Sequence, residues 1–394
     1  MNLDNLSALD IETAPTVQTD KPYALEPWRQ YQSRAKITCI TVKGLVNGTL
    51  TDPLVGQLEE ILTPLKGRYV VAHNALFDIG WMVPHVGYDT ISGIKWVDSS
   101  LLSKWIHNGQ SAEEQHMSHS LIACCNRWLA DHPRIEEFND VKFQSVKPGE
   151  NFEYWLERNK LDTEMTLALF KAMWTKLPPS QRRGFLIEQR ALAPLARGWL
   201  HGIPVDSNYI DHLHCVMETK KNRLCAELGV SATLLNSPKQ KCNLLFNTWG
   251  LTPVDFTPKG NPSAGHDSLT RLHQITQDPK FDKLMAAIKL STLQSKYTKG
   301  FARAKGYVGA DRIFGVPRVF GTYTGRMTYG SKTFAKKQDT QVSIAMHQMP
   351  RKAKAIKHAM KADEGYGILY IDANSQELRM MACRSGDRTM VQGY

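Results

Sequence analysis

The chain has 394 residues, 42% of them hydrophobic and 22% charged, with a formal net charge of +11. That balance supports a sizeable core divided over two or three domains and excludes a disordered or fibrous chain. Met1–Asp10 carries neither a basic start nor an apolar core, and no run approaches the ~20 apolar residues that a bilayer span needs, so a cytoplasmic protein without a membrane partner is expected.

The seven cysteines (Cys39, Cys124, Cys125, Cys215, Cys225, Cys242, Cys383) are odd in number and form no CxxC pair, which argues for reduced thiols rather than a disulfide framework or structural zinc. The positive charge is concentrated: Lys296–Lys361 holds fifteen Lys/Arg against two acids, Asp311 and Asp339, while the rest carries 34 basic and 36 acidic residues. A charge excess confined to one segment suits a polyanion-binding surface. Tyr307, Phe314, Phe320 and Tyr323 are interleaved there with Gly321 and Gly325. Charge alone leaves DNA, RNA and a membrane surface open.

In chain order, short apolar strands at Lys36–Val42 and Tyr69–Val71 alternate with helical stretches, which predicts a mixed α/β layer. A helix ending near Trp174 is stopped by Leu177-Pro178-Pro179-Ser180, and a long helical stretch, Glu188–Leu200, is expected before Gly202 and Pro204. Asn236-Ser237-Pro238 predicts the capped start of a helix near Lys239. Helices continue to about Tyr297, and the basic segment then leads to an expected strand, Gly367–Ile371, delivering Asp372 at its carboxyl end.

Leu9-Asp10-Ile11-Glu12-Thr13 places two carboxylates at i and i+2, on one face of a strand, with Leu9 and Ile11 turned to the core. Tyr69–Ala72 runs into a helix start at Asn74 that sets Asp78 about one turn in. Asp162 precedes the amphipathic run Met165, Leu169, Met173 and is expected on the exposed edge of that helix. Carboxylates drawn from separate elements suit phosphodiester hydrolysis by two divalent ions about 3.5–4 Å apart, and hard oxygen ligands suit Mg²⁺ or Mn²⁺. Asp98 and His73 are expected to be structural, the first as a capping acid or one that supports the ligands from behind, the other as a satisfied strand-end histidine.

Asp10-x-Glu12, Asn74-x-x-x-Asp78 and Asp162, with Val97-Asp98-Ser99 and His119-Ser120-Leu121 between them, resemble the DEDD 3′→5′ exonuclease family. The resemblance implies a ribonuclease H-like fold over 1–177, with Asp10, Glu12, Asp78 and Asp162 as ligands of two Mg²⁺ or Mn²⁺ ions. It departs at one place. Polymerase-type members carry a water-positioning Tyr four residues before the last Asp, where this chain has Arg158; a His one place earlier in other members is Glu157 here.

The second half resembles the family A (DNA polymerase I-like) DNA polymerases. Ala193-Pro194-Leu195 and Gly202–Asp206 are similar to the entry of the polymerase domain; Asn236–Gln240, Thr257–Gly260 and Leu293–Tyr297 are similar to its thumb. Thr324-Gly325-Arg326-Met327-Thr328 resembles the TGR-type motif, and Asp372–Arg379 resembles motif A. The resemblance implies that Arg326, Lys296, Lys239 and Arg379 contact DNA, that Asp372 binds catalytic metal, and that Glu377 forms the nucleotide pocket's sugar-discriminating gate. Only 22 residues follow Asp372, too few for the family's motifs B and C, and His266-Asp267 lies upstream.

These signals lead us to expect a ribonuclease H-like domain (1–177) followed by a partial polymerase domain (178–394) with a helical thumb and incomplete palm. The expected function is that of the front portion of a proofreading DNA polymerase, similar to bacteriophage enzymes. It would act on primer–template DNA and single-stranded 3′ ends and need a second chain for motifs B and C. A truncated product, a stand-alone 3′→5′ exonuclease and a noncatalytic DNA-binding remnant stay open as alternatives.

Overall fold

The computed structural model describes residues 1–16, 27, 30, 35–51, 55–108, 117–140, 152–302, 311–322, 324–330, 346–350 and 353–394. Tyr307, Tyr323 and many of the basic residues between Lys296 and Lys361 lie outside the described residues. Among those described, no helix is long and apolar enough to cross a membrane.

The fold is mixed α/β. Its five-stranded sheet has the order β3-β2-β1-β4-β5, built from β1 (Leu6–Pro15), β2 (Ala35–Gly44), β3 (Gly48–Thr51), β4 (Tyr69–Ala72) and β5 (Lys95–Asp98). The chain reverses antiparallel through β1, β2 and β3, whereas β4 and β5 run parallel to β1. Central β1 pairs with β4 only over Leu6–Ala8 but with β2 as far as Pro15. Its first residues are accordingly buried on both faces. Beyond β4, burial alternates: Leu9 and Ile11 stay in the core while Asp10 and Glu12 keep some access to solvent. The acidic pair therefore lies at the carboxyl ends of the parallel strands, where open α/β sheets bind ligands.

Helix α1 (Val55–Leu62) precedes β4, α2 (Ala75–Ser92) follows it, and α3 (Ser99–Ile106) follows β5. One buried carboxylate organises both helix starts after the strands. Asp98 accepts the backbone N–H groups of Asn74 and Ala75 at the head of α2 and of Ser100 and Leu101 at the head of α3. Four donors that would otherwise be stranded are satisfied by one side chain. His73 is held through Nδ1 to Ser99 Oγ and through Nε2 to the His119 carbonyl, the structural role expected of it.

Helix α4 (Leu121–Trp128) leads towards the 25-residue α5 (Phe152–Lys176). Its apolar side, Leu161, Met165, Leu169, Phe170 and Met173, is buried against the sheet. Each such side chain contributes roughly 1.5–3 kcal/mol of hydrophobic stabilisation. The prolines after Leu177 end α5 as expected, and Pro179 opens α6 (Pro179–Gln189).

The expected continuous helix Glu188–Leu200 is instead broken: α6 stops at Gln189 and α7 (Leu192–His201) begins after a turn. Pro194 supplies the reason, because it has no N–H for the Arg190 carbonyl and is tolerated only in a first turn. The core that starts at Leu6 continues past this break through Phe185, Trp199, Phe314 and Ile356, and α7 packs on α2. A second core joins Leu224, Leu272, Phe281 and Leu284 of helices α8 (Ser207–Leu228), α9 (His266–Thr276) and α10 (Lys280–Leu293) with Leu245 of the π-helical turn Asn243–Thr248. Ser237 caps the short helix Pro238–Cys242 through Gln240 N–H, as its sequence signals.

Two small ribbons follow: β6 (Ile203–Pro204) with β7 (Arg312–Ile313), and β8 (Val316–Arg318) with β9 (Thr328–Gly330). The expected strand Gly367–Ile371 is absent. Those residues are irregular, with Ile368, Leu369, Tyr370 and Ile371 exposed by 69%, 81%, 81% and 82%. A strand needs a ladder partner and a surface on which to bury alternate side chains, and among the described residues neither is offered there. Helix α11 (Gln376–Ser385) comes next.

Candidate functional site

Strand β1 and helix α5 converge at one point. Ligand atoms of Asp10, Glu12 and Asp162 all lie within 4.8 Å of one another, although Asp162 is 150 residues away from Glu12 in sequence. The i, i+2 spacing on β1 supplies two of them, and the packing of α5 on β1 supplies the third. The helix is rotated further inward than its sequence pattern implies: the Asp162 side chain is only 13% exposed rather than at an open edge. Its carboxylate faces the sheet because the α5 face bearing Arg158, Asn159 and Asp162 turns to β1.

Asp78 stands beside this group rather than in it. Its carboxylate is buried and accepts the backbone N–H of Ile11 at 3.2 Å, which ties the first turn of α2 to β1 between the two acids. Three of the four expected carboxylates thus meet within ligand distance, and the fourth braces the strand that carries two of them.

Two neighbours that the sequence pattern did not single out as partners complete the centre. Asn159, fully buried, donates Nδ2 to Asp10 Oδ2 at 2.7 Å. Arg158 donates Nε to Asp162 Oδ2 at 2.9 Å, and its guanidinium lies 5.2 Å from the Phe138 ring centroid. The i, i+4 spacing of Arg158 and Asp162 was the available signal for the ion pair. Asn159 gave none, since its partner lies on another element.

Burial pushes the Asp10, Glu12 and Asp78 carboxyls well above the usual carboxylate range, with mutual repulsion adding to it. Asp162 is raised by burial too, against the opposing pull of Arg158. The adjacent Cys39 thiol is pushed up to about 12 by burial and then by the Glu12 and Asp10 charges, so it is an inert core thiol.

The chemistry of this donor set fits a hard divalent cation. Its ligands are all oxygens, and among the described residues the buried Asp162 Oδ1 and Asn159 Oδ1 have no hydrogen-bond partner. Crowded carboxylates with an orphaned oxygen are costly without a counter-charge, and a bound cation would remove that cost.

The residues expected to face DNA are on the surface. Lys239, Lys296, Arg326 and Arg379 are exposed. Arg326 sits in the turn between β8 and β9, where Gly321 N–H donates to its carbonyl and Thr322 Oγ1 accepts its N–H. Both glycines of that turn are required. A Cβ on Gly321 would come within 2.1 Å of Thr328 Oγ1, and Gly325 has φ +77°. Arg379 donates Nε to the Asn374 carbonyl, and Glu377 in the first turn of α11 pairs with Arg326. Asp372 is exposed in the irregular segment, and among the described residues it belongs to no group of three or more metal-type ligands.

Comparison with known proteins bears on the second half most directly. Residues 207–394 match the model of DNA polymerase family A. The chain is 24% identical over 377 residues to the DNA polymerase of Escherichia phage T5, covering 88% of this chain and 41% of that protein. It is 27% identical over 363 residues to DNA polymerase I of Pseudomonas aeruginosa, covering 87% of this chain and 36% of that one. The chain therefore spans well under half the length of these curated relatives. Its fold is similar to that of the POL domain of Pol1 from M. smegmatis, solved with a DNA primer-template and dNTP, with a TM-score of 0.64 and 18% identity, covering all of this chain and 62% of that one.

Proposed function

We propose that this family A polymerase-like chain is the front portion of a DNA-directed DNA polymerase, with a cation-dependent 3′→5′ exonuclease in residues 1–177 and a partial polymerase domain in 178–394. One observation carries the nuclease reading: Asp10, Glu12 and Asp162 meet within 4.8 Å at the carboxyl ends of parallel strands. The family A match over 207–394 and the similarity to phage and bacterial polymerases support DNA as the substrate.

Asp10, Glu12 and Asp162 would hold Mg²⁺ or Mn²⁺, which when bound supplies an activated water and stabilises the leaving oxygen of a phosphodiester. The chain's own groups prepare the site. Asn159 orients Asp10, and Asp78 fixes the β1 backbone through Ile11 N–H. Arg326, Lys296, Lys239 and Arg379 would grip the phosphates and the groove of the primer–template, making binding salt-dependent.

For synthesis, Asp372 and Glu377 would line the nucleotide site. A two-metal polymerase centre needs further carboxylates, and among the described residues Asp372 belongs to no group of three or more metal-type ligands. The apolar row Ile368–Ile371 beside it is exposed. Both features fit a centre that further polymerase residues complete, on a second chain in this proposal.

Degradation of 3′-labelled single-stranded DNA with Mg²⁺ tests the nuclease assignment. The chain should release label and Asp10→Ala should not; equal release by both would end the assignment. Primer extension by the purified chain alone should give no product, and extension without a partner would refute the incomplete centre.

A further inference from the structure

Arg158 is the positive charge paired with Asp162, and two contacts hold it there. Its side chain is only 15% exposed, and Nε is 2.9 Å from Asp162 Oδ2. Its guanidinium is packed on Phe138, a fully buried ring. The two charged residues are one helical turn apart on the same 25-residue helix, the spacing at which side chains pair along one face. An arginine held by both an ion pair and a ring face is a built part of the centre.

Counting charges and free oxygens gives the consequence. Asp10, Glu12 and Asp162 together carry three negative charges when ionised, and Arg158 returns one positive charge. With the buried Asp78 carboxylate beside them counted as a fourth negative charge, a single divalent cation leaves the centre at a net charge of −1, whereas a second would turn it positive beside the guanidinium. The oxygens agree: Asp162 Oδ2 is taken by Arg158 and Asp10 Oδ2 by Asn159. Asp162 Oδ1, buried and without a partner among the described residues, remains as that residue's free ligand atom. Asp78, drawn to Ile11 N–H, stands outside the group.

We infer that Arg158 is a built-in counter-cation that takes the place of a second metal ion, so that this centre binds one divalent cation where the DEDD pattern implies two. The inference rests on the reading of Asp10, Glu12 and Asp162 as cation ligands.

Titration with Mn²⁺, followed by isothermal calorimetry and by the EPR signal of free Mn²⁺, separates the two claims. The wild-type chain should bind one ion, and Asp10→Asn should lose it. Arg158→Ala should bind two, the first about tenfold tighter because the guanidinium no longer competes for Asp162. Arg158→Lys, which keeps the charge, should stay at one, and circular dichroism melts of both variants establish that they fold. Two ions in the wild type, or one in Arg158→Ala at unchanged affinity, would overturn the counter-cation role while leaving the ligand reading intact. No ion in either protein would overturn the ligand reading itself.

Discussion

Arg326 donates Nη2 to Oε1 of Glu377 at 2.7 Å, joining the turn between β8 and β9 to the first turn of α11 across 51 residues of sequence. The proposed DNA contact and the proposed sugar gate are thus paired with each other. The side chains are 70% and 75% exposed, so the pair contributes at most ~0.2–1 kcal/mol and is open to exchange for a phosphate or a groove edge.

Arg326→Ala should therefore weaken primer–template binding at low salt by about 1–3 kcal/mol, read by fluorescence anisotropy, with the fold unchanged. Glu377→Gln, which releases Arg326 without removing it, should leave affinity equal or slightly higher. Equal affinity of Arg326→Ala and the wild type would remove Arg326 from the interface.

Asn159 is placed to act through Asp10. Its Nδ2 fixes one carboxylate oxygen, and its burial keeps the amide in one orientation. Groups that orient a ligand are commonly worth 10- to 100-fold in metal affinity, so Asn159→Ala, which removes the amide without adding bulk, should weaken Mn²⁺ binding by about that factor. Its thermal midpoint should hold, since the substitution also removes an amide oxygen that lacks a partner among the described residues. An unaltered Mn²⁺ affinity would reduce Asn159 to a packing residue.

How much of this was legible follows the range of each interaction. The i, i+2 acids of β1, the proline break after Leu177, the Asp98 cap and the Ser237 cap are local, and each was read from a few adjacent residues. Asp162 was found through the apolar period of its helix, but its inward rotation depends on how α5 meets β1, which no local pattern records. The same holds for Asn159, whose partner lies on another element, and for Asp78, whose carboxylate goes to a backbone N–H instead of the cluster. The expected strand at Gly367–Ile371 failed for a related reason: its composition favours a strand, but pairing is a property of two segments. Glu188–Leu200 fails as one helix for a local reason, because Pro194 offers no N–H to the carbonyl four residues earlier.

Glu188, near the end of α6, has a buried Oε2 without a hydrogen-bond partner among the described residues, and burial raises its pKa to about 7. The folded state then holds a proton that the unfolded chain, near the ordinary value of 4.5, has released. Its contribution to stability is complete below pH 4.5 and is lost as pH rises towards 7. Glu188→Gln should be as stable as the wild type at pH 4.5 and more stable at pH 8. The gain should be about 1 kcal/mol once the half-exposed position is discounted for solvent screening. Thermal melts of both proteins at the two pH values decide it; a gain of equal size at both would mean that ionisation plays no part.

Ile368, Leu369, Tyr370 and Ile371 form a continuous exposed apolar row, and Met380 and Met381 of the neighbouring α11 are 59% and 55% exposed. Contiguous apolar surface of this kind marks an interaction site. If a second polymerase chain covers it, the chain alone should bind a hydrophobic dye and self-associate as its concentration rises. The double substitution Leu369→Ser, Ile371→Ser should reduce both. Side chains so exposed add little to folding, so the thermal midpoint should move by no more than the ~0.5 kcal/mol typical of surface changes. A large loss of stability in the double variant would show that the row packs against this chain itself, and the covering partner would then be unnecessary.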